Sequence, residues 1–373
     1  MKKALLVSCF GWYEERLKFV EERLQMRGYE VQVWISDYSH FKKERSSMDK
    51  GLNYIHVRAY KNNLSLGRLY SHYDFCRQMY HVLERELPEV VMALIPPNSV
   101  AHICGKYKCK HPNTKLIFDI IDMWPESYTA PKLFEAPFKI WASLRDKNLK
   151  YADHIFTECS FYQRFLIGVP TSKISTLHLF RGKDAFAEVP AWNGEDVQIG
   201  YLGSINSLID IPLIEQLVRE MCKSQKVKVH IVGGGKNAQN FVNALTCAGA
   251  IVDNHGVIFD KDKMRAIIGG CHFAINMMKP SVCVGLTIKS MDYFQMGVPL
   301  LNTIKGDSNE IVRSYNCGFN VEDTTQVATS MVALSAEDYC QMRKQTQKAF
   351  NELFTFESFR VNLENGINKV INE

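Results

Sequence analysis

The chain has 373 residues, 46% of them hydrophobic and 23% charged, which is typical of globular domains with a buried core and is enough for two domains of ordinary size. No apolar run approaches the roughly 20 residues of a transmembrane helix, which excludes an integral membrane protein of that kind. The net charge of +5 is uneven: residues 1–190 carry 28 basic and 21 acidic side chains, against 17 and 19 in residues 191–373. The basic half favours an anionic membrane surface or a phosphate-bearing ligand, with an ordinary solvated surface as the alternative, and no nucleic-acid-binding motif accompanies it.

The cysteines and the N-terminus bear on the compartment. There are eleven cysteines, an odd number, and no C-x-x-C pair is present. Cys271 and Cys283 lie in apolar runs, where a thiol behaves as a small hydrophobe. This usage favours reduced thiols and a cytoplasmic location. The N-terminal MKKALLVS reads as a buried strand and not as a signal peptide, because Glu14 and Glu15 follow at once.

Strands and helices alternate along the first half. The run Ala4–Ser8 predicts a strand, and Leu17, Val20 and Leu24 then share one face of a helix that ends at Gly28. Helices are also expected at Tyr70–Glu86 and Phe138–Lys150. The remaining strands of this half are predicted at Glu30–Ile35, Tyr54–Val57, Val90–Ile95, Lys115–Ile120 and His154–Thr157.

The same alternation returns after residues 181–196, RGKDAFAEVPAWNGED, which read as a linker. Six further strands are predicted at Val197–Leu202, Val227–Val232, Ile251–Asn254, Phe273–Asn276, Pro299–Thr303 and Gly318–Val321. Alternating strands and helices imply parallel pairing. The sequence therefore predicts an α/β protein with two Rossmann-like, doubly wound domains, residues 1–180 and 197–353, facing each other across a cleft.

The segment GLTIKSMDYFQMGVP at Gly285–Pro299 has the pattern of an anion site. A helix that begins near Thr287 places Lys289 and Asp292 on one face. Free amides at its N-terminus and the lysine charge suit a diphosphate, and the carboxylate can accept hydrogen bonds from ribose hydroxyls. The alternative is a plain surface ion pair between these two side chains.

A second pattern, FDIIDMWPES at Phe118–Ser127, ends a predicted strand of the first half. The strand delivers Asp122 to the carboxyl edge of the sheet, where open α/β folds bind ligands. Trp124 offers an apolar wall on which a sugar ring can stack. The alternative is that Asp122 caps the next turn and Trp124 belongs to the core.

Both segments resemble glycosyltransferase family 4 enzymes of the GT-B fold. The first resembles their donor-binding run of glycine, leucine, lysine and glutamate, and the second an Asp-x-Trp-Pro-Glu-Ser segment of bacterial members. The resemblance implies that Asp292 takes the place of the ribose-binding glutamate and that Lys289 lies near the diphosphate. The family's other glutamate falls on Val284, so recognition of the transferred sugar must use other groups, such as the amides around Ser281–Gly285.

The resemblance also implies roles for further residues. Asp122 would face the transferred sugar and act in catalysis, and Arg181 would be a substitute phosphate ligand. The terminal helix, within residues 354–373, would pack back on the first domain. The donor-binding residues would be Gly203, Ser204, His255, Gly256, Val257, Gly285, Leu286 and Thr287, with Lys289 and Asp292. The acceptor-side residues would be Gly11, Trp12, Tyr13, Trp124 and Glu126.

The function implied is retaining transfer of a sugar from a UDP- or GDP-sugar to a glycan or a lipid-diphosphate-linked acceptor, in bacterial surface polysaccharide synthesis. We expect no cofactor and no metal: Asp260 and Asp262 form an Asp-x-Asp, but Asp262 reads as a helix N-cap. The expected site of action is the cytoplasm, with peripheral contact to the inner face of the membrane as an option. The rivals are a catalytically silent GT-B partner subunit and a nucleotide-sugar 2-epimerase. A dehydrogenase is disfavoured, because Gly233–Gly235 lacks the dinucleotide spacing.

Overall fold

A computed structural model describes residues 2–11, 14–40, 42–46, 51–63, 65–127 and 135–371. The chain forms two compact units. The first comprises Met1–Leu177 and Arg360–Glu373, and the second comprises His178–Phe359. Among the described residues, no helix has the length and apolarity that crossing a bilayer requires.

The first unit is built on a seven-stranded parallel sheet in the order β3-β2-β1-β4-β5-β6-β7. Its strands are β1 (Lys2–Ser8), β2 (Tyr29–Ser36), β3 (Asn53–Ile55), β4 (Val90–Ile95), β5 (Lys115–Ile120), β6 (His154–Thr157) and β7 (Ile174–Thr176). Its helices include α1 (Glu14–Met26), α2 (Leu66–Glu86), α3 (Asn98–Lys110) and α4 (Glu135–Asp146). The strand order reverses between β1 and β4, and ligands of such sheets bind at that point.

Helix α1 forms as its sequence pattern predicts. Leu17, Val20 and Leu24 are all buried, and the chain leaves the helix at Gly28, whose φ of +81° is unstrained for glycine. The helix is held by a buried ion pair: Arg16 Nε lies 2.7 Å from Asp119 Oδ2 on β5. The same guanidinium also donates to the carbonyl of Leu177.

The second unit contains a six-stranded parallel sheet in the order β10-β9-β8-β11-β12-β13. Its strands are β8 (Asp196–Ser204), β9 (Lys226–Gly234), β10 (Ile251–Gly256), β11 (Phe273–Asn276), β12 (Leu300–Asn302) and β13 (Gly318–Asn320). Its helices are α5 (Ile211–Met221), α6 (Ala238–Cys247), α7 (Lys261–Gly269), α8 (Ile288–Gln295), α9 (Asp307–Tyr315), α10 (Thr324–Val332) and α11 (Ala336–Leu353). Here the order reverses between β8 and β11. The predicted α/β class with two doubly wound parallel sheets is confirmed.

Residues 181–196, read as a linker from their polarity, belong to the second unit. Trp192 explains this placement: its ring stacks on Tyr339 at 5.0 Å between centroids, and its Nε1 donates to the carbonyl of Leu334. The indole lies in the main apolar cluster of the unit. A single large side chain therefore ties the segment to a core.

The final helix, α12 (Phe356–Asn368), includes residues of both units, since the division falls between Phe359 and Arg360. Within the first unit, Arg27 Nη2 lies 2.6 Å from Glu364 Oε2 on this helix. A Cβ at Gly366 would lie 2.2 Å from the ring of Phe156 on β6, so the helix approaches the sheet closely at a glycine.

Candidate functional site

The glycine turn at the end of β8 lies at the point where the second sheet reverses its strand order. Gly203 has a φ of +112° and open space where a Cβ would project. Its neighbour across the pairing is Gly233 on β9, where a Cβ would lie 2.0 Å from the carbonyl oxygen of Gly203. The two glycines permit the strands to end side by side, and Gly203 and Ser204 present backbone that a ligand can approach.

Helix α8 begins at Ile288, as the sequence predicts. Thr287 is its N-cap: Thr287 Oγ1 accepts from the amide of Ser290 and donates to Asn276 Oδ1 at 2.7 Å. The Thr287 hydroxyl, a predicted donor ligand, is therefore engaged within the protein. The amides of Ile288 and Lys289 belong to the first turn and have no intrahelical acceptor, so they remain available to an anion.

A ladder of asparagines fixes the position of this helix end. Asn276 at the end of β11 donates to Asn302 at the end of β12 at 2.9 Å, and Asn302 donates to Asn320 at the end of β13 at 2.8 Å. Asn276 and Asn302 are fully buried. Because Asn276 also accepts from Thr287, the carboxyl edge of three strands and the start of α8 form one hydrogen-bonded unit.

Lys289 is half-buried, and its amine faces an aromatic ring. Its Nζ lies 4.8 Å from the ring centroid of Tyr201, whose hydroxyl donates to the carbonyl of Ser204. Burial lowers the pKa of Lys289 to about 8. No carboxylate among the described residues forms an ion pair with this lysine. Lys289 thus lies against Tyr201, on the strand that ends in the glycine turn, and no carboxylate in the described ranges neutralises its charge.

Asp292 pairs with Arg181. Arg181 Nε donates to Asp292 Oδ1 at 2.6 Å, and the backbone amide of Arg181 donates to the carbonyl of Phe354. Burial raises the pKa of Asp292, although the adjacent guanidinium of Arg181 acts in the opposite direction. The structure thus joins the predicted ribose ligand and the predicted phosphate ligand in one ion pair. The alternative pairing of Asp292 with Lys289 is not the one observed.

A second helix start lies next to the loop that precedes α8. The amide of Ser308, in the first turn of α9, donates to the carbonyl of Gly285 at 2.9 Å. The hydroxyl of Ser308 is buried and has no hydrogen-bond partner within the described chain. Gly285 therefore has a structural contact, and Ser308 is an additional polar group at this edge. Leu286 is buried, so its side chain contributes packing.

The predicted base-binding residues lie at the end of β10: His255 and Gly256 are its last two residues, and Val257 follows. Gly256 has a φ of +66°, and its amide donates to Asn254 Oδ1 at 3.1 Å, while the side chains of His255 and Val257 are exposed. Backbone groups of this turn are consequently accessible to a planar base. Further on, the helix cap of α7 differs from the prediction: Asp260 is the N-cap and accepts from the amides of Asp262 and Lys263. Asp262 was the wrong choice, because the cap carboxylate must precede the first-turn amides that it accepts from.

The first unit holds a second polar cluster, at the end of β5. Burial raises the pKa of Asp122, while a hydrogen bond from Ser127 and the charge of Arg68 act against that shift. Arg68, in the first turn of α2, lies 5.8 Å from the ring centroid of Trp124. Its Nε is buried without a hydrogen-bond partner in the described part of the chain. A carboxyl, a guanidinium and an indole thus meet at the strand end that the sequence singles out.

Several buried polar atoms around this cluster lack partners among the described residues. Both ring nitrogens of His72 lack a hydrogen-bond partner in the described ranges, although the side chain is only 4% exposed. Burial lowers the pKa of His72 well below its ordinary value, so the ring is neutral. Trp141 Nε1 and Asn98 Oδ1 also have no partner in the part of the chain that the structure describes, and the His72 and Trp141 ring centroids are 6.1 Å apart. Unpaired buried groups are costly, and their concentration in one place indicates a ligand site.

Histidine and aromatic rings from the loops after β1 and β2 border this cluster. The Phe10 ring lies 5.3 Å from His40 and 5.9 Å from His72, measured between centroids. His40 Nδ1 is hydrogen-bonded to the hydroxyl of Tyr60. Burial, with the charges of Arg68 and Lys43, lowers the pKa of His40 to about 4. The positive charge of Arg68 therefore also lowers the pKa of His40, on the loop after β2.

The predicted acceptor-side residues have different surroundings. Trp124 is half-buried and packs edge-on against Trp141, with centroids 5.5 Å apart. Glu126 forms a bidentate pair with the fully buried Arg145, so its carboxylate anchors α4. Gly11 is half-buried. Trp12 and Tyr13 lie outside the described residues.

Sequence reasoning missed Arg68, His72, Asn98 and Ser308. One signal was available: Ser65 accepts from the amide of Arg68 as the N-cap of α2, so the helix begins earlier than the predicted Tyr70. With that start, Arg68 and His72 are four residues apart and share a helix face. No sequence pattern predicts that Asn98 and Ser308 are buried, or that Asn98 Oδ1 and Ser308 Oγ have no hydrogen-bond partner among the described residues.

Comparisons with known proteins place the fold. No family model matches the chain, and no curated protein matches it in sequence. Solved structures do match: the lipopolysaccharide outer core galactosyltransferase WaaB in its apo form has a TM-score of 0.69 at 13% identity and covers both chains completely. Anabaena HepE in complex with UDP has a TM-score of 0.66 at 12% identity, over 99% of this chain and 100% of its own. A substituted form of S. aureus TarM, in complex with fondaparinux, alpha-GlcNAc-glycerol and UDP, has a TM-score of 0.60 at 9% identity, over 99% and 100%.

At these identities the likeness shows the fold. The chain has the α/β architecture with two Rossmann-like domains that glycosyltransferases of the GT-B type share. The predicted resemblance is confirmed at that level.

Proposed function

We propose that this protein is a glycosyltransferase that takes a sugar from a nucleoside-diphosphate donor, UDP- or GDP-linked, and transfers it to a glycan or a lipid-diphosphate-linked acceptor with retention of anomeric configuration. The donor would bind the second unit and the acceptor the first. The observation that carries the proposal is Lys289, a half-buried lysine at the start of α8 whose amine faces Tyr201 on β8 and has no carboxylate partner among the described residues.

The contacts of the second unit favour a diphosphate at this position. First-turn amides of α8, the Lys289 ammonium and the open backbone at Gly203 all present positive or hydrogen-bond-donating groups. Asp292 holds Arg181 within reach of the same helix start, since Arg181 Nη2 is 3.4 Å from the carbonyl of Ile288. We propose that Asp292 accepts from the ribose through its second oxygen and positions Arg181 with the first.

In the proposed reaction the bond between the anomeric carbon and the diphosphate oxygen breaks, and a bond from the acceptor oxygen to that carbon forms on the same face. The acceptor proton passes to the departing diphosphate oxygen. Lys289 and the α8 amides would stabilise the negative charge that develops on the leaving group. Asp122 would orient the acceptor hydroxyl or balance positive charge at the anomeric carbon.

The first unit supports an anionic acceptor. Arg68 supplies a charged donor whose Nε has no partner in the described chain, and Lys43 adds to the positive field at His40. Trp124 and Trp141 offer faces for a sugar ring. Together these groups suit a sugar that bears a phosphate or diphosphate, which agrees with a lipid-diphosphate-linked acceptor and with surface polysaccharide synthesis on the cytoplasmic side.

Peripheral contact with an anionic bilayer fits the surface of the same unit. Helix α2 exposes apolar side chains beside a groove of about 420 Å³ that Arg77 and Lys106 line. The exposed apolar side chains are Leu66, Leu69, Tyr70 and Tyr73 on α2 and Ile140 on α4. Apolar side chains next to cations are typical of surfaces that bind the membrane interface. Sedimentation with vesicles that contain anionic lipid, compared with neutral vesicles, tests this contact.

The proposed function is tested with a panel of UDP- and GDP-sugars. We expect one donor to raise the thermal unfolding midpoint and to be hydrolysed slowly, releasing the nucleoside diphosphate and a sugar whose initial anomeric configuration is retained. Activity should persist in EDTA, because the amides of α8 and Lys289 stand where a metal would otherwise neutralise the diphosphate.

The alternatives give different results in the same panel. A 2-epimerase would interconvert two nucleotide sugars. A silent partner subunit would neither turn over the donor nor release the nucleoside diphosphate. Val284, at the position of the family's second glutamate, gives a reason for that second outcome. Inverted product or activity that requires Mg²⁺ would overturn the proposed mechanism.

A further inference from the structure

The edge of the second sheet carries a cluster of two histidines and a carboxylate whose side chains the proposed transfer does not use, since His255 was assigned to the donor through its backbone alone. Asp253 on β10 pairs in register with His230 on β9, and His255 lies two residues after Asp253 on β10. A register irregularity between Asn254 and Gly256 accompanies His255. One nitrogen of each histidine and one oxygen of Asp253 all lie within 4.8 Å of one another.

We propose that His230, Asp253 and His255 form a binding site for a divalent transition-metal ion of the zinc class. His230 Nδ1 and His255 Nε2 are 3.2 Å apart. Two imidazole ligands of one tetrahedral Zn²⁺, each about 2.0–2.1 Å from the metal, stand at about 3.3 Å from each other. Without metal, one of these nitrogens donates a hydrogen bond to the other, and the two ring planes are only 10° apart. Binding of the ion would displace the shared proton and turn the rings so that both lone pairs reach the metal.

A neighbouring side chain sets the tautomer that ligation needs. His230 Nε2 lies 3.0 Å from Gln198 Oε1 on β8. When Nε2–H donates to that oxygen, Nδ1 keeps its lone pair and directs it towards His255. Metal-ligating histidines generally donate their second ring N–H to an oxygen in this way, which fixes the ring.

Asp253 can serve as the third protein ligand after a small movement of its side chain. Its Oδ2 lies 3.8 Å from His230 Nδ1 and accepts from Lys228 Nζ at 2.7 Å. A divalent ion attracts the carboxylate more strongly than the single charge of an exposed ammonium does, so Lys228 is a competitor and not a ligand. His255 is exposed, which gives the ion an entry path, and water can supply the fourth ligand.

The test uses Zn²⁺ and Co²⁺ titrations of the tag-free full chain after chelator treatment. Because the thiols of Cys109 and Cys247 are exposed and also bind such metals, both are first replaced by serine. We expect one equivalent to bind, with a Co²⁺ spectrum of nitrogen and oxygen ligation. His255→Ala and His230→Ala should each weaken binding by about tenfold or more. His81→Ala, on an exposed histidine of α2, should leave the affinity unchanged.

Lys228→Met separates the metal site from an ordinary ion pair. Removal of the competing ammonium should tighten metal binding several-fold, whereas Asp253→Asn should weaken it. His255→Ala should not alter the unfolding midpoint without metal, because its side chain is exposed. The proposal is overturned if no 1:1 binding is detected, or if the affinity of the His255→Ala protein equals that of the parent. Neither readout depends on sugar transfer, so the metal site and the proposed function fail separately.

Discussion

Lys289 and Asp122 are ionisable side chains for which burial disfavours the charged form. Burial lowers the pKa of Lys289 to about 8 and raises that of Asp122. Groups perturbed by burial at the carboxyl edge of a parallel sheet are common at functional sites. For Lys289 and for Asp122, a substitution can therefore distinguish a functional role from a structural one.

Replacing Lys289 should stabilise the protein and impair its function. Lys289→Met removes a half-buried charge that lacks a carboxylate partner among the described residues, so the unliganded protein should gain about 1–3 kcal/mol of unfolding free energy at pH 7. Binding of UDP or GDP should weaken at least tenfold, because a cation at the phosphates is lost. Chemical denaturation and calorimetric titration measure the two effects. Destabilisation with unchanged binding would identify Lys289 as structural.

The pKa of Lys289 also predicts how nucleotide binding depends on pH. The diphosphate binds the charged amine, so affinity should be constant below about pH 8 and fall as the pH rises through that value. Between pH 8 and the ordinary lysine pKa the unfolded chain binds more protons, so the stability of the unliganded protein should rise over this window. Lys289→Arg, which stays charged, should bind nucleotide without this decline. A decline that persists in the arginine variant would assign it to another group.

Asp122 should matter for transfer and not for nucleotide binding. Asp122→Asn keeps the side-chain shape and removes a charge that burial disfavours, so the unfolding midpoint should stay equal or rise. Transfer should fall by at least about a hundredfold if the carboxylate acts at the reacting sugar, with the affinity for the nucleoside diphosphate unchanged. Steady-state assay and calorimetry measure these quantities. Full turnover in this variant would remove the catalytic assignment.

Among the elements, the asparagine ladder connects the sheet to the start of α8. Three neighbouring strands end in Asn276, Asn302 and Asn320, and Asn276 accepts from the capping hydroxyl of Thr287. Amide side chains that bond to one another satisfy buried donors and acceptors and also set the spacing of the strand ends. The ladder thereby positions the first-turn amides proposed to meet the diphosphate.

Breaking the ladder should therefore affect stability and binding together. Asn302→Leu leaves Asn276, Asn320 and the amide of Ile304 without their partner, which should cost about 2–4 kcal/mol of unfolding free energy. Nucleotide affinity should also fall, although Asn302 is buried. Asn243→Leu, on the exposed face of α6, should change neither quantity. Unaltered affinity in a folded Asn302→Leu protein would separate the ladder from the site.

In the whole molecule, each unit has its own sheet and its own buried core, and the chain returns to the first unit at its end. Of the five tryptophans, Trp192 is the one in the second unit. The terminal segment contributes to the first unit through Glu364, which pairs with Arg27, and through Gly366 against Phe156. Loss of this segment should therefore lower the stability of the first unit more than that of the second.

Truncation after Phe359 tests this division. With 5-fluorotryptophan incorporated, the ¹⁹F signals of the first unit should report unfolding at a lower temperature than in the full chain, because the shortened unit loses an ion pair and a packed helix. The Trp192 signal should change less. Equal shifts of every tryptophan signal would show that the two units unfold as one.

The doubly wound sheets were predictable because the spacing of hydrophobic residues along a strand or a helix is a local property of the sequence. Val90–Ile95 is a continuous apolar run, and Lys115–Ile120 is apolar apart from Lys115 and Asp119; the bounds of both strands match the prediction. The start of α8 was predictable for a similar reason, since Thr287 precedes a helical pattern as a cap. Short polar stretches were harder: residues 181–196 look like a linker until the contacts of Trp192 are known.

The sequence alone thus determined the two α/β halves, the helix that carries Lys289 and Asp292, and the strand end that carries Asp122, because each is encoded by neighbours within one element. The tertiary structure decided which groups meet: Arg181 with Asp292, Arg68 with Trp124, and His230 with His255. Those partners come from separate elements, and their distances follow from strand order and helix packing. No local pattern of residues contains that information.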